Sequence, residues 1–126
     1  MLVVVVGHVT FSQFVQYVVD EWSSGRTLDR HWRPQHEICN PCYVKYDFIG
    51  RFEDFSVDVK HVLAVLNASN VMIPNSNSFK NVVPLSQERT RFYADVPHVL
   101  VRKLIQLYKV DYELFDYDYR WVCDDC

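Results

Sequence analysis

The chain has 126 residues, and we expect residues 1–126 to form one domain or part of one, because domains usually contain about 100 to 150 residues. Hydrophobic residues make up 49% of it and aromatic residues 15%, which excludes a disordered segment and supports a core of ordinary size. The formal net charge of -3 gives no general attraction to nucleic acid.

The chain opens on a short apolar run at residues 2–6, which predicts a buried strand. This run is too short for the apolar core of a signal peptide, and no basic residue precedes it. We therefore expect any signal sequence for secretion to lie upstream of Met1. No run reaches the roughly 20 apolar residues of a membrane span. The residues that follow contain neither of the glycine-rich phosphate-binding patterns of nucleotide-binding folds.

Capping signals and apolar periodicity predict three helices. The first covers about residues 10–21, where Thr10 and Gln13 can form a capping box. The second covers about residues 54–66, in which apolar residues recur at helical spacing. The third begins near residue 95, with a proline in its first turn, and runs to about residue 109.

The segments between these helices predict one strand and two loops. Residues 43–49 mix aromatic and β-branched side chains, which predicts a strand that ends at Gly50. Residues 70–91 are polar and contain two prolines, which predicts a surface excursion. Residues 26–42 show no period and predict an ordered loop, and loops of more than about 12 to 15 residues are usually functional.

The charge of the chain is unevenly distributed. Residues 26–51 contain five basic residues and three acids, whereas residues 111–126 contain six acids and one base. Two hypotheses explain the basic stretch: it binds an anionic ligand, or it is simply a solvated surface. The basic residues are Arg26, Arg30, Arg33, Lys45 and Arg51.

Four cysteines form two C-x-x-C pairs, Cys39 with Cys42 and Cys123 with Cys126. Such pairs are found in disulfides of an oxidising compartment, in redox dithiols and in zinc sites. A glycosylation sequon begins at Asn67 and matters only in a secretory protein.

Several rarer residue types then occur in one order, and this order identifies a known family. The motifs closely resemble the C-terminal half of the Golgi carbohydrate sulfotransferases, which include the chondroitin and dermatan 4-O-sulfotransferases and the HNK-1 sulfotransferase. The likeness covers about residues 9–117, from a helix before the His-Trp loop to a closing segment rich in tyrosine. The motifs are His31-Trp32-x-Pro34, Cys39-x-Pro41-Cys42, Tyr46-Asp47-Phe48-Ile49-Gly50, Glu53, Val9-Thr10-Phe11-x-x-Phe14-Val15-x-Tyr17 and Leu107-Tyr108-x-x-Asp111-Tyr112-x-x-Phe115-x-Tyr117.

The resemblance implies an α/β fold with a parallel sheet flanked by helices, of which this chain would supply mostly helices and long loops. It implies transfer of a sulfuryl group from 3′-phosphoadenosine 5′-phosphosulfate (PAPS) to a hydroxyl of a glycan such as chondroitin or dermatan. The implied location is the lumenal side of the Golgi membrane, with membrane contact only through an N-terminal anchor outside this chain. We expect no metal and no nucleic-acid partner.

The resemblance also implies roles for single residues. His31 is the candidate catalytic base, since a neutral imidazole can take a proton near pH 7; a structural histidine is the alternative. Arginine binds carboxylate and sulfate through two parallel hydrogen bonds, and tryptophan can stack on a sugar, although for Trp32 an anchor in the core is the favoured alternative. The candidate acceptor-binding residues are therefore Arg26, Arg30, Trp32, Arg33 and Arg51.

In an oxidising lumen, the four cysteines would form disulfides whose connectivity the sequence leaves open. The competing zinc site would use both C-x-x-C pairs, or Cys39 and Cys42 with His31 and His36. The separation of the pairs by about 80 residues and the lack of a knuckle glycine argue against zinc.

One departure from the family pattern concerns the sulfuryl donor. Members of the family bind PAPS through a basic loop after the first strand and through a later motif of Arg and Ser. Neither motif occurs here. We therefore expect an acceptor-side half with no cofactor-binding residues, which does not catalyse sulfation alone. The alternative is a non-catalytic module that binds a glycan or zinc.

Overall fold

The computed structural model describes residues 7–73, 85–120 and 122. The described residues form helices and irregular segments and contain no strand. The chain divides into two compact units, a larger unit made of Met1–Asn40 and Val82–Cys126 and a smaller unit made of Pro41–Asn81. The helices are α1 (Phe11–Ser23), α2 (Gln35–Cys39), α3 (Phe55–Val65), α4 (Leu85–Tyr93), α5 (His98–Leu107) and α6 (Lys109–Phe115).

Helix α1 begins with the capping box that the sequence predicts. The backbone N–H of Gln13 donates to the Thr10 hydroxyl at 3.2 Å, and the backbone N–H of Thr10 donates to the Gln13 side chain at 2.9 Å. These two bonds satisfy donors that the start of a helix otherwise leaves unpaired. The helix ends at Ser23 with Ser24 as its C-cap, and Gly25 then adopts the left-handed conformation, with φ 72°, that glycine accepts without strain.

The core of the larger unit lies along one face of α1. This face contacts α5 and α4 and contributes Val15, Val18 and Val19, each no more than 2% exposed. Burying such a side chain contributes about 1.5–3 kcal/mol relative to leaving it in water. One cluster joins Val15 and Val19 to Val96, Leu100 and Val101, and a second joins Val18 to Leu28 and Leu107, with Phe14, Trp32, Leu104 and Tyr108 packed against it.

Several sequence expectations for the larger unit are wrong. The predicted loop at 26–42 contains helix α2, and the predicted polar excursion at 70–91 contains part of α4, while residues 74–84 lie outside the described residues. Helix α5 begins at His98 with Pro97 as its N-cap, three residues later than predicted, and α6 follows it directly. Helix α2 escaped prediction because the residue that caps it comes from α6, far along the chain.

The smaller unit contains α3 and irregular segments. The strand predicted at 43–49 is wrong, because no strand lies within the described part of this unit to pair with its backbone. Asp54 occupies the N-cap position of α3, but its side chain makes no capping hydrogen bond. The Arg51 N–H donates to the Asp58 carboxylate at 2.8 Å, and a Cβ on Gly50 would lie 3.0 Å from the same oxygen, so this turn favours glycine.

The parallel sheet itself stays a prediction, because the first predicted strand, residues 2–6, lies outside the described residues. Within the part of the chain that is described, no helix combines the length and apolar character needed to cross a bilayer.

Candidate functional site

A cleft of about 420 Å³ lies in the larger unit beside the loop that precedes α2. The loop and the start of α2 supply one side of its lining, and the closing segment that begins at Tyr108 supplies tyrosines to the other. The side chains that matter for chemistry are Arg30, His31, Arg33 and Gln35 from the loop region and Tyr112 and Tyr117 from the closing segment.

His31 is held against Asp29 at this cleft. The Asp29 carboxylate lies 2.6 Å from His31 Nδ1 and also accepts the His31 backbone N–H at 2.9 Å. The backbone hydrogen bond first, and the side-chain bond second, lower the pKa of Asp29 below its usual value. An ionised carboxylate can only accept, so Nδ1 carries the hydrogen and Nε2 of the neutral ring is the proton acceptor. The His31 side chain is 70% exposed, so a ligand can reach it.

The arginines of the loop differ in what they already bind. Arg33 donates from Nε and Nη2 to the Leu28 carbonyl at 3.0 and 2.6 Å. These two hydrogen bonds stabilise the loop and leave fewer guanidinium N–H groups for a ligand. Arg30 is exposed and lines the cleft. Arg26 donates to the Ser24 hydroxyl at 3.0 Å and is not a lining residue. Arg51 belongs to the smaller unit, and its role at the acceptor stays a prediction.

Trp32 is half-buried and packs against α1. Its ring makes edge-to-face contacts with Phe14 and Tyr17, at centroid distances of 5.4 and 6.1 Å, and its indole N–H donates to Glu21 at 3.4 Å. Such contacts add about 0.5–1.5 kcal/mol per aromatic pair beyond the area they bury. The ring therefore anchors the loop to the core, while part of the residue still borders the cleft.

Sequence reasoning placed Asp111 in the acidic tail and in the closing-segment motif but gave it no role in the site. Asp111 is only 4% exposed, and its carboxylate accepts the backbone N–H groups of Gln35 and His36 at 2.6 and 2.9 Å. The same carboxylate lies 2.6 Å from His36 Nδ1. A signal was present, because Asp111 continues the apolar stripe of Leu100, Leu104 and Leu107 at helical spacing, where a core residue is expected.

Tyrosines of the closing segment complete the site. The Tyr108 hydroxyl donates to the Trp32 carbonyl, and the Tyr117 hydroxyl donates to the Gln35 side chain at 3.2 Å. Burial, followed by the nearby tyrosines and Asp111, raises the pKa of both Tyr108 and Tyr112 to about 12. Both hydroxyls are therefore neutral at pH 7 and able to donate hydrogen bonds.

The remaining predicted residues lie outside this cleft or outside the described chain. Cys39 ends α2 and Cys42 follows it, and both are exposed, whereas Cys123 and Cys126 lie outside the described residues. Their disulfide pairing stays a prediction. Asn67 is exposed just after α3. Across the described residues, no three His, Cys, Asp or Glu side chains are grouped so that they could hold a metal ion.

Comparison with known proteins assigns the chain to a family. A family model described as "Sulfotransferase family" matches residues 6–118. The chain belongs to the sulfotransferase family. The resemblance inferred from the His-Trp, Cys and closing-segment motifs is thereby confirmed, and membership of this family fits the expected sulfotransferase fold.

The curated relatives of this sulfotransferase chain share one name. Carbohydrate sulfotransferase 14 of Danio rerio is 32% identical over 111 residues, which cover 86% of this chain and 29% of the relative. Carbohydrate sulfotransferase 12 of Xenopus laevis is 33% identical over 109 residues, covering 86% and 26%. Carbohydrate sulfotransferase 14 of Homo sapiens is 32% identical over 111 residues, covering 86% and 28%. The chain thus spans less than a third of the length of these relatives, and no solved structure matches it significantly.

Proposed function

We propose that this chain forms the acceptor side of a carbohydrate sulfotransferase that sulfates a hydroxyl of a chondroitin- or dermatan-type glycan. The observation that carries the proposal is the Asp29–His31 pair at the edge of the cleft, with Nδ1 held at 2.6 Å and the ring exposed. The carbohydrate sulfotransferase relatives support a glycan as the acceptor. Golgi lumenal location, disulfides among Cys39, Cys42, Cys123 and Cys126, and glycosylation at Asn67 belong to the same proposal.

In this proposal, His31 positions the acceptor hydroxyl and takes its proton at Nε2. Asp29 keeps the hydrogen on Nδ1, so that Nε2 is free to accept, and its negative charge stabilises the imidazolium that results. A general base positioned in this way contributes about 10²–10⁴-fold to the rate of the reaction. PAPS supplies the sulfuryl group in this class of reaction.

The cleft does not fit PAPS. The donor carries a 5′-phosphosulfate and a 3′-phosphate, whereas the cleft offers two guanidinium groups, Arg30 and Arg33, of which Arg33 already donates twice to the Leu28 carbonyl. We therefore assign no residue of this chain to the donor, and expect no sulfation by the chain alone. Transfer of label from PAPS to desulfated chondroitin by this chain would contradict that expectation.

The cleft fits an anionic sugar better. Arg30 can bind a carboxylate or sulfate, and the neutral tyrosines offer apolar faces together with hydroxyl donors. The absence of the donor motifs favours a second candidate for the isolated chain, a non-catalytic glycan-binding module using the same cleft.

Calorimetric titration with a desulfated chondroitin hexasaccharide tests acceptor binding. We expect Arg30→Ala to weaken binding about tenfold, because a charged hydrogen bond contributes about 1.5–3 kcal/mol. Arg102→Ala is the matched control, since Arg102 is also exposed but lies on α5 and does not line the cleft. Equal affinities for the Arg30 and Arg102 variants would exclude the cleft as the acceptor site.

A further inference from the structure

The closing segment that begins at Tyr108 holds the loop of the candidate site at two separate points. The first is the Tyr108 hydroxyl, which donates to the Trp32 carbonyl. The second is the Asp111 carboxylate, which accepts the N–H groups of Gln35 and His36 and bonds the His36 ring. These contacts join residues 75 or 76 positions apart, so they belong to the tertiary fold.

Asp111 supplies what the start of α2 lacks. The N-cap of α2 is Pro34, whose side chain has no acceptor for the first amides of the helix. The Asp111 carboxylate takes that place, with Oδ2 on the Gln35 amide and Oδ1 on the His36 amide. A buried carboxylate is costly unless its oxygens are hydrogen-bonded, and here both of them are.

The two hydrogen-bonded points flank Arg33, which lines the cleft, and the first of them, Trp32, directly follows His31. Arg33 and Pro34 lie directly between Trp32, whose carbonyl is bonded by Tyr108, and Gln35, whose amide is bonded by Asp111. Pro34 is itself fully buried. The backbone on both sides of Arg33 is therefore fixed, and the direction of the preceding His31 segment follows from it.

We propose that Asp111 is a positioning residue of the acceptor cleft, which sets the path of the loop carrying His31 and Arg33 through the start of α2. This inference rests on the proposed function, because the loop it orders is the proposed acceptor site. Asp111 is one of the residues that line the cleft, but both of its carboxylate oxygens are already bonded to Gln35 and His36, so we assign it no contact with the acceptor. It acts through the backbone of Gln35 and His36.

Asp111→Asn tests the proposal in the full chain, labelled with ¹⁵N. The carboxamide has one acceptor oxygen in place of two, so at least one of the three donors loses its partner. Glu113→Gln is the matched control, because Glu113 lies on the same helix, is exposed and pairs only loosely with Lys109, at 3.7 Å. The readouts are amide hydrogen exchange at His31 and Trp32, the ring ¹⁵N shifts of His36, and the affinity for the desulfated chondroitin hexasaccharide.

We expect Asp111→Asn to speed exchange at the His31 and Trp32 amides about tenfold and to weaken hexasaccharide binding about tenfold, with α1 still protected. Glu113→Gln should change neither quantity. A merely structural cap would alter the exchange of α2 and the His36 shifts alone. Unchanged exchange at His31 and Trp32, together with altered His36 shifts, would therefore overturn the proposal.

The readouts separate failure of this inference from failure of the proposed function. If the unmodified chain does not bind the hexasaccharide, the proposed function fails, and hydrogen exchange still decides whether Asp111 orders the loop. If Asp111→Asn also loses the protection of α1, Gln35→Pro replaces it, since a proline is tolerated at the first position of α2 and removes one of the two amide donors to Asp111. We then expect about threefold faster exchange at His31, and no change would overturn the proposal.

Discussion

At the scale of single residues, the site is built from two aspartates that hold two histidines of one loop. Asp29 binds His31 at the surface of the cleft, and Asp111 binds His36 in a nearly buried position, with the same 2.6 Å separation between Nδ1 and the carboxylate. The exposed pair suits proton transfer, because a ligand can reach the ring. The buried pair suits positioning, because Asp111 and the His36 amide are withdrawn from water.

The Asp29–His31 pair makes a prediction about pH. We expect NMR titration of the Asp29 carboxyl carbon to give a pKa below the ordinary value for an aspartate. Because the folded pKa is depressed, the stability this pair contributes is present above the unfolded pKa and is lost as pH falls through the folded pKa. His31→Ala should leave part of the depression, since the largest cause is the His31 backbone N–H. An ordinary pKa for Asp29 in the unmodified chain would contradict the geometry.

At the scale of elements, local signals predicted α1, α3 and α5 but missed α2, α4 and α6. The capping box of Thr10 and Gln13 was predictable because both partners lie within one turn. Helix α2 was not, because its capping group is Asp111, and short segments do not form stable helices without such support. The strand expected at 43–49 failed for a related reason, since aromatic and β-branched composition cannot supply a pairing partner.

Packing of α5 against α1 makes a prediction about stability. We expect Leu100→Ala to lower the free energy of unfolding by about 2–5 kcal/mol, because Leu100 is 5% exposed and joins the Val15 and Val19 cluster. Val99→Ala is the neighbouring control and should cost less than about 0.5 kcal/mol, since Val99 is 53% exposed. Urea unfolding followed by circular dichroism measures both. A loss of similar size in the two variants would mean that α5 does not pack as described.

At the scale of the whole molecule, the two units differ in how they are stabilised. Helices α1 and α5 each bury three residues, whereas α3 buries none. The smaller unit also leaves large apolar side chains in water, with Phe52 88% and Met72 90% exposed. Among the described residues, the ordered core and the candidate acceptor cleft therefore both belong to the larger unit.

The site was only partly predictable for the same reason that the fold was. Motifs along the chain named His31, Arg30 and Arg33, because the loop that carries them is continuous in sequence. They could not show that two nitrogens of the Arg33 guanidinium already donate to the Leu28 carbonyl. Nor could they show that Gln35 and Tyr117 meet at the same cleft. The Arg33 bond lies within the loop and depends on the loop's conformation, whereas the Gln35–Tyr117 contact depends on how the segment after α6 returns to α2, which no local pattern encodes.

The most direct test of the central claim is to add a desulfated chondroitin hexasaccharide to the ¹⁵N-labelled chain and follow the backbone spectrum. We expect the largest shifts at His31, Gln35 and Tyr117, which line the cleft, and no shift in α3. Shifts confined to other residues, or no shift at millimolar sugar, where a contact worth about 4 kcal/mol would be half-saturated, would contradict an acceptor site at this cleft.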